Sequence, residues 1–336
     1  MHSFSAASYA TEVKSQHFRL SKQARSLSTN RIHRLSDDEA FAEFCAVRFA
    51  ENGGEPYCPW CGHTQVYSIR TRRKWRCKSK SCGRDFSATT QTIFASRKVS
   101  FQKLLLLIAY QSWVAKNINA IDMHCELDVQ YKTAFVWCHK IREAITAHQH
   151  TGTMRGQIEV DGGYFGGYIK PKNSFPLRQD RRRLMRKEGK RKCVVIFRER
   201  NGRSRAFVCS ESEAAHKAPE FIELGSVVYT DDAVEYNRLA ARYVLHKVNH
   251  SERYSDGDAC TNWAESYFAR LRRAEMGIHH HFSGDYLLNY ANEISWREDR
   301  RRHPANENYE EMLRIASHHP VSRQWKGYWQ RRKEAA

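Results

Sequence analysis

Ile158-Glu159-Val160-Asp161-Gly162-Gly163-Tyr164-Phe165-Gly166-Gly167 is the stretch from which the rest of the chain can be read. Its β-branched start has the composition of a buried strand, and Asp161 closes that run, which predicts a carboxylate at a strand end. A second run, Val227-Val228-Tyr229-Thr230, ends in the same way on Asp231-Asp232, while Thr261-Asn262-Trp263-Ala264-Glu265-Ser266 opens a helix. Carboxylates delivered from two strand ends and a helix can converge on hard cations, which take oxygen ligands and bridge the attacking and leaving oxygens of phosphodiester chemistry. Each acid also has a plainer reading. An aspartate before a glycine pair favours a tight turn, and Asp231-Asp232 can cap the helix that follows. Three such coincidences in one order weigh toward the metal-site reading.

Working outward, the pattern is strand-like at 157–161, 193–198 and 205–209, helical at 215–224, strand-like at 227–230, helical at 234–242, strand-like at 243–247 and helical at 262–273. Three strands followed by alternating helices and strands is the order of a ribonuclease-H-like domain, a mixed sheet with helices on both faces. The first strand, the end of the fourth and the last helix are its acidic stations, where Asp161, Asp231 and Glu265 stand. Asn262 lies three residues before Glu265 on the same helix face, so it either reaches the same cation or caps the helix. Glu265 is the first choice because its carboxylate neutralises a divalent ion. Arg272 lies further along that face, where a guanidinium can clamp a phosphate. Arg270 and Arg273 either join it or form a solvated basic face.

Upstream, Cys58-Pro59-Trp60-Cys61 is followed, after fifteen residues, by Cys77 and, after four more, by Cys82. Two thiolate pairs on two turns fill a tetrahedral site and leave no open position, which predicts a structural zinc ribbon, with iron or free thiols as alternatives. Arg72, Arg73 and Lys74 flank Trp75 between the pairs, either against phosphates or as a solvated hairpin. A helix starting at Ser36 should cap the ribbon. From Phe101 to Ala147 the spacing is helical and resembles a helix-turn-helix, with Lys132 near the start of a helix over 130–145 that either reads DNA or only packs. The segment 170–192 carries eleven Lys and Arg, among them Arg181, Arg182 and Arg183, and reads as a loop that orders on phosphates or stays solvated. His280, in a run of three histidines, is a further candidate phosphate contact.

Composition agrees with a polyanionic partner. The chain of 336 residues has 56 Lys+Arg against 37 Asp+Glu, a formal net charge of +19. Its longest apolar run, Leu104 to Ala109, is too short to cross a bilayer, and the first thirty residues contain no apolar core of a secretory signal. These features predict a cytoplasmic, nucleoid-associated protein with no membrane partner. Of the ten cysteines four cluster as metal ligands, which argues against a disulfide framework, and the other six (Cys45, Cys125, Cys138, Cys193, Cys209 and Cys260) are scattered and read as core residues.

Together these pieces resemble a bacterial insertion-sequence transposase of the insertion-sequence 1595 family, the ISXO-like group. The resemblance rests on the ribbon with Phe86-Ser87 and Thr89-Thr90-Gln91-Thr92-Ile93-Phe94, on Tyr131-Lys132-Thr133-Ala134 with Ile141-Arg142, and on Asp161 with Gly166-Gly167. It continues through Thr230-Asp231, Val248-Asn249-His250-Ser251, Thr261-Asn262, Ala264-Glu265-Ser266, Gly277, His280-His281-Phe282-Ser283 and Tyr290 to Arg301. The resemblance implies a DDE-type transposase that binds the terminal inverted repeats and cleaves and joins DNA with two Mg2+ ions, Mn2+ substituting, as a homo-oligomer on element ends and target. Two positions depart from the family pattern: Arg272 stands where a lysine is usual and Asp299 where an asparagine is. A zinc-ribbon regulator derived from an inactive transposase and a nuclease on the same fold are the alternatives. The expected domains are a basic arm (1–35), helix plus ribbon (36–96), a helical DNA-binding or connector region (97–152), the catalytic domain (153–302) and a basic C-terminal tail (303–336).

Overall fold

The computed structural model describes residues 17–114, 116–149, 151–167, 191–248 and 261–330. At the front, helix α1 (Thr29–Arg34) precedes α2 (Asp37–Arg48), and a three-stranded ribbon follows as β1 (Val66–Ile69), β2 (Lys74–Cys77) and β3 (Asp85–Phe86). Helix α2 starts on a capping box, in which the Ser36 hydroxyl accepts the Glu39 N–H and the Glu39 carboxylate accepts the Ser36 N–H. Trp75 of β2 holds the ribbon to this helix. Its ring lies 5.9 Å from Phe41, 5.7 Å from Phe49 and 5.7 Å from Phe86, so ribbon and helix share one apolar core.

The helical region consists of α3 (Phe101–Trp113), α4 (Ala120–Leu127) and α5 (Tyr131–Gln149). Asp128 adopts a left-handed conformation at the C-terminus of α4, which gives the tight α4–α5 turn foreseen as helix-turn-helix-like. Beyond its first turn, however, α5 buries Ala134, Trp137, Cys138, His139, Ile141, Arg142, Ala144 and Ile145. It packs against α4 and against two later helices, α8 (Leu287–Asp299) and α9 (Ala305–His318). Its exposed residues lie at its two ends, Tyr131 and Lys132 at the start and Ala147 and His148 in the last turn.

The ends of the chain differ from expectation. Within the arm, α1 buries Ile32. The expected C-terminal tail contains α9, whose Tyr309, Met312, Leu313 and Ala316 complete the core of the N-terminal helices. Its apolar residues recur at helical spacing, and its charges are mostly acidic, Glu307, Glu310 and Glu311 against Arg314, so this part of the segment is an amphipathic helix and not a basic tail.

The second unit is a five-stranded sheet in the order β6-β5-β4-β7-β8. Its strands are β4 (Gln157–Gly166), β5 (Arg191–Glu199), β6 (Ser204–Val208), β7 (Val227–Asp231) and β8 (Val244–Val248). β4 pairs antiparallel with β5 and parallel with β7, and β8 extends the parallel side. Helix α6 (Glu211–Phe221) and a 3-10 helix (Val234–Ala241) cover one face, while α7 (Asn262–Gly277) and α8 cover the other. This is the ribonuclease-H-like mixed sheet expected from the element order.

Three local expectations change. β4 does not end at Asp161 but runs on to Gly166 along β5, so Asp161 lies mid-strand. Its position is terminal only toward β7, whose last pair with β4 is Val160↔Thr230. The 234–242 helix is of the 3-10 kind. Helix α6 begins four residues earlier than expected, at Glu211, because Ser210 and Glu213 form a second capping box.

Candidate active site

Gly162 and Gly163 are not a turn. Both have ordinary extended backbone within β4, and what they supply is space on the two faces of the sheet. A Cβ on Gly163 would meet the Phe268 ring of α7 at 2.9 Å, and one on Gly162 would meet the Glu211 carboxylate of α6 at 2.2 Å. The bare strand therefore lets α7 and the start of α6 approach the backbone on either side of Asp161.

Glu159, two residues before Asp161 on the same face, is fully buried. It accepts the N–H groups of Trp263 and Ala264 at 2.8 and 3.0 Å and pairs with Arg200 at 2.9 Å. A carboxylate here satisfies free N–H groups at the N-terminus of α7 and complements its dipole. It thereby sets the height of Glu265 relative to β4. Sequence reading passed over Glu159, although its place in the Ile158-Glu159-Val160-Asp161 alternation puts it on the face of Asp161.

Asp161 is partly buried, and one of its oxygens accepts the Gly162 N–H at 2.7 Å. Burial, followed by the nearby Asp231, Glu211 and Glu265 carboxylates, pushes its pKa up to about 7. Asp231 ends β7 and accepts the Ala233 N–H at 3.2 Å, but the 3-10 helix that follows has no side-chain cap, so neither Asp231 nor Asp232 caps it. Asp232 instead lies 3.7 Å from Lys247. Glu265 and Asn262 are exposed in the first turn of α7. Arg272 is exposed on the same helix, its guanidinium 5.8 Å from both the Phe165 and Phe268 rings.

The remaining predicted contacts divide into open and engaged residues. Arg72 and Lys74 are exposed and border a cleft of about 490 Å³ with Ser87, Thr90, Arg97 and Lys98, whereas Arg73 is held by Asp37 and, at 2.6 Å, by Asp38. Lys132 lies over the Trp329 ring at 5.3 Å. Arg270 is paired with Glu298, while Arg273 is exposed and bonds the Ala269 carbonyl. His280 is exposed with positive φ. Its neighbour His279 is half-buried, and desolvation and the charge of Arg142 lower its pKa to about 3. Arg181, Arg182 and Arg183 lie outside the described residues.

Asp299, the departure from the family pattern, is mostly buried away from the acidic stations. It accepts from Arg198 and from the Ser204 hydroxyl, each at 2.6 Å, and so ties the end of α8 to β5 and β6. On the same helix the Asn292 amide bonds both the N–H and the C=O of Ala206 on the edge strand β6. Glu293 pairs with Arg142 of α5 at 2.7 Å and with Arg297 at 3.2 Å. Much of the motif between Tyr290 and Arg301 is therefore a clamp joining the helical region to the sheet.

In the ribbon, the Sγ atoms of Cys58, Cys61, Cys77 and Cys82 all lie within 4.8 Å of one another. Cys58 and Cys82 are 3.7 Å apart, and Cys61 and Cys77 are 3.6 Å apart. A tetrahedral zinc with bonds of about 2.3 Å requires sulfur separations of about 3.8 Å, so the four thiols fit a structural zinc ion. Gly62 and Gly83, both left-handed, turn the chain just after a cysteine in each knuckle. Among the described residues, these cysteines are the group that gathers so closely, and the carboxylates around Asp161 are more open.

A ribonuclease-H-like sheet behind a four-cysteine ribbon is the architecture that comparison with known families assigns to a transposase with a zinc-ribbon front end. A profile for an ISXO2-like transposase domain matches residues 153–299, from just before β4 to the last residue of α8, and one for a transposase zinc-ribbon domain matches residues 35–85. The chain belongs to the insertion-sequence 1595 family of transposases. No curated protein and no solved structure matches it. Among the described residues no helix is long and apolar enough to cross a membrane.

Proposed function

We propose that this transposase binds the terminal inverted repeats of an insertion sequence and catalyses metal-dependent DNA strand cleavage and strand transfer, with Asp161, Asp231 and Glu265 as its divalent-metal ligands. The observation that carries this reading is the environment of Asp161, a partly buried carboxyl beside three other carboxylates whose pKa rises to about 7. Crowding several carboxylates in this way raises the cost of their charges, which a bound cation lowers, and an all-oxygen donor set of this kind suits Mg2+ or Mn2+. When bound, the ions lower the pKa of the attacking water or 3′-hydroxyl and stabilise the departing 3′-oxygen.

Asp161 and Asp231 hold the ligand oxygens at the end of the β4–β7 pairing, and Glu159 fixes the helix that presents Glu265. Asn262, on the same exposed turn, is the alternative third ligand. Arg272 stands beyond Glu265 on α7, where it can orient the scissile phosphate. The open cations Arg72, Lys74, Lys132 and Arg273, together with Arg181 to Arg183, engage duplex phosphates at element ends and target. Arg270, paired with Glu298, shapes the helix more than it contacts DNA. Pairing two ends requires a homo-oligomer on DNA, working in the cytoplasm at the nucleoid.

The test is an in vitro reaction of the zinc-loaded protein, Mg2+ and a plasmid carrying the element's ends, run beside Asp161→Asn and Asp231→Asn. Joined products with the unaltered protein alone, and end binding by all three, support the reading. Cleavage by either variant would remove that residue from the metal site. Cleavage without joining would favour a nuclease, and specific binding without cleavage a regulator.

A further inference from the structure

Glu211 is the one carboxylate that the structure brings to Asp161 without any role yet assigned. It occupies the first turn of α6, which follows the third strand of the sheet, and its side chain lies directly against Gly162. The packing is close enough that a Cβ at position 162 would fall 2.2 Å from its Oε1 and 2.9 Å from its Cδ. Glycine at 162 is thus required if Glu211 is to keep its place beside β4.

A second, independent observation comes from Tyr236. This tyrosine, in the 3-10 helix after β7, is fully buried, and its hydroxyl has no hydrogen-bond partner among the described residues. Leaving a buried phenol unsatisfied is costly, so a polar group or bound ligand is expected opposite it. The charges that act on this hydroxyl are those of Glu211, Asp161 and Asp231, and with burial they hold it firmly protonated. It is therefore an unused hydrogen-bond donor buried on the α6 side of the sheet, within the field of the acidic cluster.

We propose that Glu211 is a fourth carboxylate of the divalent-metal centre, kept in place by the bare backbone of Gly162, with the unsatisfied Tyr236 hydroxyl buried on the same side of the sheet. The inference rests on the metal-site reading above. It gives the centre ligands from both faces of the sheet: Glu265 from α7, Glu211 from α6, and the two aspartates from the strands between. It also accounts for the two adjacent glycines, one clearing the way for Phe268 and the other for Glu211.

Titration of the full-length, zinc-loaded protein with Mn2+, followed by electron paramagnetic resonance without DNA, tests this directly. Glu211→Gln is expected to weaken Mn2+ binding by about tenfold or more. Gly162→Ala should have a similar effect although it keeps the carboxylate, and Tyr236→Phe a smaller one in the same direction. Melting in chelator shows which variants fold, and Glu211→Gln decides the matter if Gly162→Ala does not. If Asp161→Asn loses Mn2+ while Glu211→Gln binds it as the unaltered protein does, Glu211 is not a ligand and the three-carboxylate site stands. If Asp161→Asn itself binds Mn2+ normally, the metal-site reading fails and this inference falls with it.

Discussion

The Glu159 carboxylate on β4 accepts the backbone N–H of Ala264 on α7 at 3.0 Å, across 104 residues of intervening chain. The same oxygen accepts the Trp263 N–H, and the other takes the Arg200 guanidinium. One buried side chain thus joins the strand that carries Asp161 to the helix that carries Glu265.

Glu159→Ala should leave Arg200 without its buried partner and α7 without its cap. The expected loss is about 3 kcal/mol of stability, read from the urea midpoint. Strand cleavage should fall further than the stability loss explains, because Glu265 is no longer held at its height over β4. A variant with unchanged midpoint would show that solvent replaces these bonds.

Asp161 predicts an unusual pH dependence of the metal-free protein. Its folded pKa, about 7, lies above the usual aspartate value of 3.8. The folded state therefore retains a proton that the unfolded state releases, so stability is greatest below about pH 4 for this group and declines as pH rises to about 7. Asp161→Asn should consequently stabilise the protein at pH 8 in chelator, by an amount on the order of 3 kcal/mol, and leave it little changed at pH 4. Thermal melts at the two pH values read the difference, and Mg2+ should narrow it by stabilising the charged form.

Zinc removal should unfold the ribbon and loosen α2, because Trp75 packs between the ribbon and Phe41 and Phe49 of that helix and its C-cap. A chelator strong enough to strip the four thiolates should lower helical circular dichroism and weaken binding to the element's ends. Cys77→Ser should do the same at neutral pH. End binding that survives complete loss of zinc would separate the ribbon from DNA recognition.

Glu293→Ala should be among the most damaging changes outside the acidic cluster. It leaves the guanidiniums of Arg142 and Arg297 buried without their shared carboxylate, at a cost of about 3–5 kcal/mol. Since Arg142 belongs to α5 and Glu293 to α8, the change should also loosen the helical region from the sheet. Limited proteolysis, with new cleavage between α5 and β4, checks this.

Much of the architecture is readable one segment at a time. Cys58, Cys61, Cys77 and Cys82 declare a ribbon because thiolates paired at that spacing meet in one tetrahedral site, and they do meet. The strand runs around Asp161 and Asp231 declare their places because β-branched and aromatic residues mark buried strands whatever surrounds them. The start of α6 was also legible, in Ser210 followed three residues later by Glu213, and reading it would have placed Glu211 on the first turn of that helix. Lys132 illustrates a different limit. Helical periodicity located α5, but it could not tell a groove-reading helix from one enclosed by α4, α8 and α9.

What the sequence determined by itself was the order of strands and helices in the sheet unit, the metal-binding thiols and the strongly basic character, since all of these depend on residue type and local spacing. Only the tertiary structure decided that Asp161 sits mid-strand with its face opened by the end of β7, that Gly162 and Gly163 make room rather than a turn, and that Glu159 fixes α7 on one face of β4 while Glu211 and Tyr236 stand on the other. It also decided that Asp299 and Glu293 secure the scaffold instead of facing the acids. The reason is physical: burial, charge coupling and close packing are properties of groups brought together in space from distant parts of the chain, and no local pattern encodes which groups those will be.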